Sequence, residues 1–150
     1  MSSLPPADAT PARLMLAGAA DAVTAAKLRR ALQRWLEQVA RMPDAVHSDI
    51  VLGVGEALAN CVEHAYRAQS GVGTMKLDAR YDPAAQSIRV CVSDCGTWYR
   101  RPPRKPNDPH ASRGILLMHA LADHCTIDAG PDGTIVCLDY ATDADLVDSR

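Results

Sequence analysis

The sequence predicts an α/β (α+β) two-layer sandwich: a mixed, mostly antiparallel sheet with three main helices on one face. Three observations point there. Apolar residues keep a helical spacing as far as residue 65, then switch to strict alternation from Met75 onward. The strand-like runs are joined by short turns, which favour antiparallel pairing. No G-x-G-x-x-G and no G-x-x-x-x-G-K-[ST] stretch occurs, so nothing marks a doubly wound nucleotide-binding sheet.

Residues 1–12, with Pro5, Pro6 and Pro11 among Ser, Asp and Thr, read as a flexible leader ahead of a domain spanning 13–140. Arg13 to Ala17 is a short first strand. Asp21 is a helix cap, and Leu28, Leu32, Trp35, Leu36 and Val39 follow at helical spacing. That helix ends near Met42-Pro43, because a residue before proline avoids helical geometry. A second helix starts at Asp44 or Ser48, runs to Arg67, and closes in the turn Ser70-Gly71-Val72-Gly73. Met75, Leu77, Ala79 and Tyr81 alternate with Lys76, Asp78, Arg80 and Asp82, the pattern of a half-buried strand. Pro83 to Ser87 leads to a strand carrying Ile88, Val90 and Val92 and ending at Asp94. Residues 97–112 hold four prolines and four Arg/Lys, so they read as a long ordered loop of the lid type. A third helix is expected over Arg113 to His124, with Ile115, Leu116, Met118 and Leu121 apolar. Strands at 125–129 and 134–140 flank a hairpin turn, Gly130-Pro131-Asp132-Gly133. The acidic residues 141–150 read as a frayed tail.

The chain has 150 residues, room for one domain. Apolar residues at 47% and charged residues at 23% exclude wholesale disorder. A net charge of −2 leaves no broad basic footprint, so direct nucleic-acid binding is not expected. The absence of an 18-residue apolar run and of a signal-peptide layout implies no membrane span and a cytoplasmic chain. The five cysteines (Cys61, Cys91, Cys95, Cys125, Cys137) contain no C-x-x-C pair, and they read as buried or incidental thiols in a reducing compartment. His119, His124 and Cys125 match no metal-ligand spacing.

Three stretches could carry chemistry. Glu56, Asn60 and His64 fall at i, i+4 and i+8 on one face of the second helix. That face is either a cleft lined by an acid, a neutral oxygen ligand and an imidazole, or an ordinary solvated stripe. Gly53 and Gly55 each cost about 1 kcal/mol relative to Ala inside a helix, which points to close backbone approach as compensation. Ser93-Asp94-Cys95-Gly96 places a carboxylate at a strand end beside a glycine; the plainer reading is a turn bonding its own backbone. Ser112-Arg113-Gly114 opens a helix whose free N–H groups favour phosphate, or is simply capped by Ser112.

Taken together and in this order, these stretches resemble the ATP-binding fold shared by sensor histidine kinases, gyrase, Hsp90 and MutL. The likeness is greatest to its small branch, the bacterial anti-sigma factor serine/threonine kinases, and it covers residues 13–140. Glu56 to Tyr66 (E-A-L-A-N-C-V-E-H-A-Y) is similar to that branch's N-box. Asp94-Cys-Gly96-Thr-Trp98 resembles its first glycine box, Arg113 to Met118 a shortened second box, and Gly133-Thr134 the strand turn beneath the base. The resemblance implies ATP and Mg2+ as cofactors. It implies that Asp94 accepts a hydrogen bond from the adenine amino group, where guanine's oxygen would leave two acceptors facing each other. Gly96 would leave room for the purine and Thr134 would support it. Asn60 would ligate Mg2+ and Glu56 would be the general base for an attacking hydroxyl. His64 would lie near ribose or phosphate. Arg113, Gly114 and the basic lid (Arg100, Arg101, Arg104, Lys105) would face phosphate.

The chain departs from the larger relatives in two places: Gly114 alone remains of the second glycine box, and Trp98 stands where many have glycine. The function implied is an ATP-dependent protein serine/threonine kinase that sequesters a sigma factor and phosphorylates an anti-anti-sigma antagonist, and the resemblance to a branch whose members are commonly dimers implies a homodimer. The alternative is a nucleotide-gated binding module without kinase turnover.

Overall fold

The computed structural model describes residues 11–68, 73–94, 109–130 and 133–143; the side chains of 64–68 and 109–113 lie outside that description. The elements run β1 (Arg13–Ala19), α1 (Ala22–Val39), α2 (Asp44–Ala68), β2 (Thr74–Asp82), β3 (Ser87–Asp94), α3 (Pro109–Leu121), β4 (His124–Gly130) and β5 (Gly133–Ala141). The five strands form one sheet in the order β1-β2-β3-β5-β4. Every pairing among them is antiparallel, so the described sheet has no mixed component.

Helix α1 begins where Asp21, in extended conformation, accepts the Thr24 backbone N–H at 2.7 Å. That hydrogen bond holds the Asp21 carboxyl below the usual carboxylate range. Leu28, Leu32, Trp35 and Leu36 form its buried stripe. The Trp35 indole N–H donates to the Pro11 carbonyl at 2.8 Å, and the Tyr81 N–H to that of Ala12 at 2.8 Å. The chain is therefore anchored to α1 and β2 just before β1. Helix α2 starts at Asp44, an acid that suits the positive end of the helix dipole. It buries Val46, Ile50, Val54, Ala57, Leu58 and Cys61.

These helices cover one face of the sheet, where Met75, Leu77, Ala79, Ile88, Val90, Val92, Val136, Leu138 and Tyr140 are buried. Each Val, Leu, Ile or Met among them contributes roughly 1.5–3 kcal/mol on leaving water. The opposite face is charged. Arg13 and Arg80 meet Asp78 at 3.0 and 3.4 Å, and Arg89 meets Asp139 at 2.9 Å.

The structure corrects three expectations. Cys91 and Cys137 are not incidental thiols: they stand directly opposite each other on β3 and β5, with Cα atoms 4.1 Å apart, and are disulfide-bonded. Their 46-residue separation carries no spacing signal, because the pairing is made by strand register. Helix α3 begins at Pro109, four residues before the expected Arg113, so residues 109–112 are helix and Ser112 is not its cap. Proline suits a first helical position, where its missing N–H costs nothing. The helix also stops at Leu121, leaving His124 to open β4. Finally, β5 extends through Ala141, and Thr142 beyond it is buried, with its N–H and hydroxyl donating to the Gln86 carbonyl at 2.9 and 3.0 Å. The strand end is thus tied down past the expected boundary at 140. The rest of the expected lid, residues 95–108, lies outside the described residues.

Candidate functional site

Two structural facts centre the site on the middle of α2. Glu56 and Asn60, one turn apart, face α3 through Gly114. A Cβ on Gly114 would sit 3.1 Å from Glu56 Oε1 and 3.9 Å from Asn60 Oδ1. Glycine therefore lets α3 approach the two polar side chains more closely than any other residue could. Gly114 is the sixth residue of α3, so its N–H lies beyond the unpaired donors of the helix start. The expectation that Gly114 marks a phosphate-receiving helix N-terminus is corrected on this point.

The second fact lies one residue further along α2. Cys61 is buried and its thiol is pushed up to about 12, first by burial and then by the charge of Asp94. The turn that carries Asn60 is therefore within electrostatic reach of the last residue of β3. Asp94 is 9% exposed, and its carboxyl is raised to about 6 by burial, an effect the Thr134 backbone N–H partly opposes. Asp94 and Thr134 are cross-strand partners. Thr134 is 2% exposed, and its Oγ1 has no hydrogen-bond partner among the described residues. The end of the β3–β5 ladder thus presents a dry carboxyl group beside a buried hydroxyl. Gly133, at φ 148°, supplies the backbone that turns the chain into β5.

On its other side Glu56 opens on a cleft of about 550 Å³ between α1 and α2, lined also by Arg29, Gln33, His47, Leu52 and Gly55. Gly55 would meet only the Arg29 side chain, at 3.5 Å, if it carried a Cβ. Gly53 is different, because its Cβ would lie 2.5 Å from the Tyr140 hydroxyl. The close approach expected of both glycines therefore holds for Gly53 alone.

Of the residues singled out in the sequence, Glu56, Asn60 and Gly114 come together, and Asp94 and Thr134 come together at the neighbouring strand end. Gly96 and the basic residues Arg100, Arg101, Arg104 and Lys105 lie outside the described residues, as do the side chains of His64 and Arg113. The sequence reading did not assign Arg29 or His47 to the site, and took Cys61 only as a buried or incidental thiol. Cys61 had a signal, since it falls at apolar spacing after Val54 and Leu58 and so must face the sheet. Arg29 and His47 join Glu56 only through the packing of α1 on α2. No cluster of three or more metal-ligating side chains occurs among the described residues. No described helix is long and apolar enough to cross a membrane.

An antiparallel five-stranded sheet under three helices, with an acid at a strand end and a polar ridge on the central helix, defines an α+β domain built around one inter-element site. The chain matches the histidine kinase-like ATPase domain over residues 18–140, and it belongs to that family. Among solved structures it is similar to the RsbU and RsbW domains of Rv1364c from Mycobacterium tuberculosis. That match has 26% identity and a TM-score of 0.68, over 87% of this chain and 32% of that one. The chain thus spans about a third of that structure's length. It also shares its fold with the histidine kinase domain of a blue-light activated histidine kinase from Erythrobacter litoralis, at 19% identity and a TM-score of 0.57, over 80% of this chain and 60% of that one. A search of the curated proteins finds no match.

Proposed function

We propose that the protein binds Mg2+-ATP and acts in the cytoplasm as an anti-sigma factor and serine/threonine protein kinase, sequestering a sigma factor and phosphorylating an anti-anti-sigma antagonist. A homodimer is the proposed assembly, with no direct role for nucleic acid or membrane. The observation that carries this reading is the placement of Glu56 and Asn60 against Gly114, on the same helical stretch whose next residue, Cys61, feels the charge of Asp94.

The residues present fit the cofactor. The buried Thr134 hydroxyl, without a partner among the described residues, and the Gly114 cradle are features a nucleotide would explain. Bound Mg2+-ATP would supply the transferable phosphoryl group and the charge that neutralises it. Asp94 would accept the adenine amino group and reject guanine's oxygen, with Gly96 and Thr134 beside the ring. Asn60 would offer its amide oxygen to the ion, and His64, Arg113 and Gly114 would line the nucleotide's far side. Glu56 would accept the proton of the attacking hydroxyl, which reaches it from the α1–α2 cleft past Arg29 and His47.

Incubation with labelled Mg2+-ATP and the cognate antagonist tests this. The wild type is expected to label a serine or threonine. Glu56→Gln is expected to bind ATP as tightly but to label about 10²–10⁴-fold more slowly, the usual contribution of a general base. Unchanged labelling in that variant removes Glu56 from the mechanism. Tight ATP binding without transfer by the wild type replaces the kinase with a nucleotide-gated binding module.

A further inference from the structure

The feature that this function leaves unused is the disulfide. Stabilising disulfides close long loops or staple domains too small for a core. Cys91 and Cys137, 46 residues apart, do close a long loop, but they join two strands already paired over eight consecutive registers above a packed apolar face. Both residues are partly exposed on the charged face of the sheet, which no described helix covers. Partly exposed disulfides of this kind are the ones open to exchange with external thiols. Their position is also specific. The ladder runs from Ser87↔Ala141 through Cys91↔Cys137 and ends at Asp94↔Thr134. The bond is therefore a covalent cross-link three registers inboard of the pair that forms the dry polar end of the site. Ladder ends fray most easily. A clamp just inside the end limits how far Asp94 and Thr134 can part.

We infer that Cys91 and Cys137 are a reversible redox site whose disulfide form holds Asp94 and Thr134 in register for nucleotide, and whose dithiol form binds nucleotide more weakly. This rests on the nucleotide reading given above. In the reducing step a dithiol attacks one sulfur of the pair, the S–S bond breaks through a mixed disulfide, and two electrons and two protons pass to the cysteines. The reductant leaves as its own disulfide. Cys61 takes no part, since it is buried on the opposite side of the sheet.

Calorimetric titration with Mg2+-ATP of oxidised protein, of protein reduced with dithiothreitol, and of the reduced sample reoxidised provides the test. Reduction is expected to expose two additional thiols and to weaken ATP binding roughly three- to tenfold, the scale of a modest loss of pre-organisation. Reoxidation should restore affinity. The double variant Cys91→Ser/Cys137→Ser should show the weaker value with or without dithiothreitol. Far-UV circular dichroism accompanies each titration. Equal affinity in both forms, or no change in thiol count, overturns the switch while leaving the nucleotide site intact. A sheet that unfolds on reduction makes the bond a structural staple and also overturns it. No binding by either form rejects the nucleotide reading, and the switch falls with it.

Discussion

Asp94 is a carboxyl group held where water is scarce, and burial raises it to about 6. Its unfolded counterpart titrates near 4, so the folded chain binds a proton more tightly than the unfolded one. The sign follows from that difference. Without nucleotide, this group favours the fold below about pH 4, and the benefit is lost as pH rises through about 6. The shift corresponds to about 1–3 kcal/mol. Nucleotide affinity should run the other way, because an adenine amino group needs the ionised carboxylate as acceptor and weakens as pH falls below about 6. Asp94→Asn should flatten both profiles and raise the melting temperature at pH 8 more than at pH 4. Melting curves and ATP titrations between pH 4 and 8 check both slopes. The position of this residue at a strand end was legible in sequence, since an acid at the end of an alternating run and before a glycine is a local pattern. The response of Cys61 to it was not, because the two are brought together only when α2 lies across the sheet.

At the scale of elements, Gly53 and Gly55 show how far a residue pattern carries. Both stand in the interior of α2 and carry the same cost in sequence. In the structure only Gly53 faces an obstacle, the hydroxyl of the buried Tyr140, whose Oη has no hydrogen-bond partner among the described residues. Gly53→Ala should therefore destabilise the fold by about 1–3 kcal/mol, the cost of overpacking. In a Tyr140→Phe background the nearest remaining atoms lie 3.8 Å away, and the same substitution should become neutral or stabilise by up to about 1 kcal/mol through helix propensity. Gly55→Ala, with only the Arg29 side chain near it, should be neutral or stabilising in either background. Denaturant melts of the single and double variants close the cycle; equal cost of Gly53→Ala in both backgrounds would place the constraint elsewhere. Element types and most boundaries could be read from hydrophobic period. The start of α3 could not, because a basic, proline-rich stretch reads as loop until Pro109 is recognised as a first helical residue.

For the whole molecule, the two-layer arrangement followed from the change of period and the short turns, while strand order and register did not. Placing β5 between β3 and β4 sets Cys137 opposite Cys91 and Thr134 opposite Asp94, relations across 46 and 40 residues that no local spacing encodes. The charged face opposite the helices was visible in the alternation of β2, though its specific ion pairs depend on register as well.

The buried thiol of Cys61 turns the protein into its own stopwatch. At neutral pH almost no thiolate exists there for an alkylating dye to capture. Label can accumulate only during the brief intervals when helix and strand end part company. Its rate of uptake then counts those excursions, and saturating ATP should slow the clock while Cys125, outside that seam, keeps its own pace.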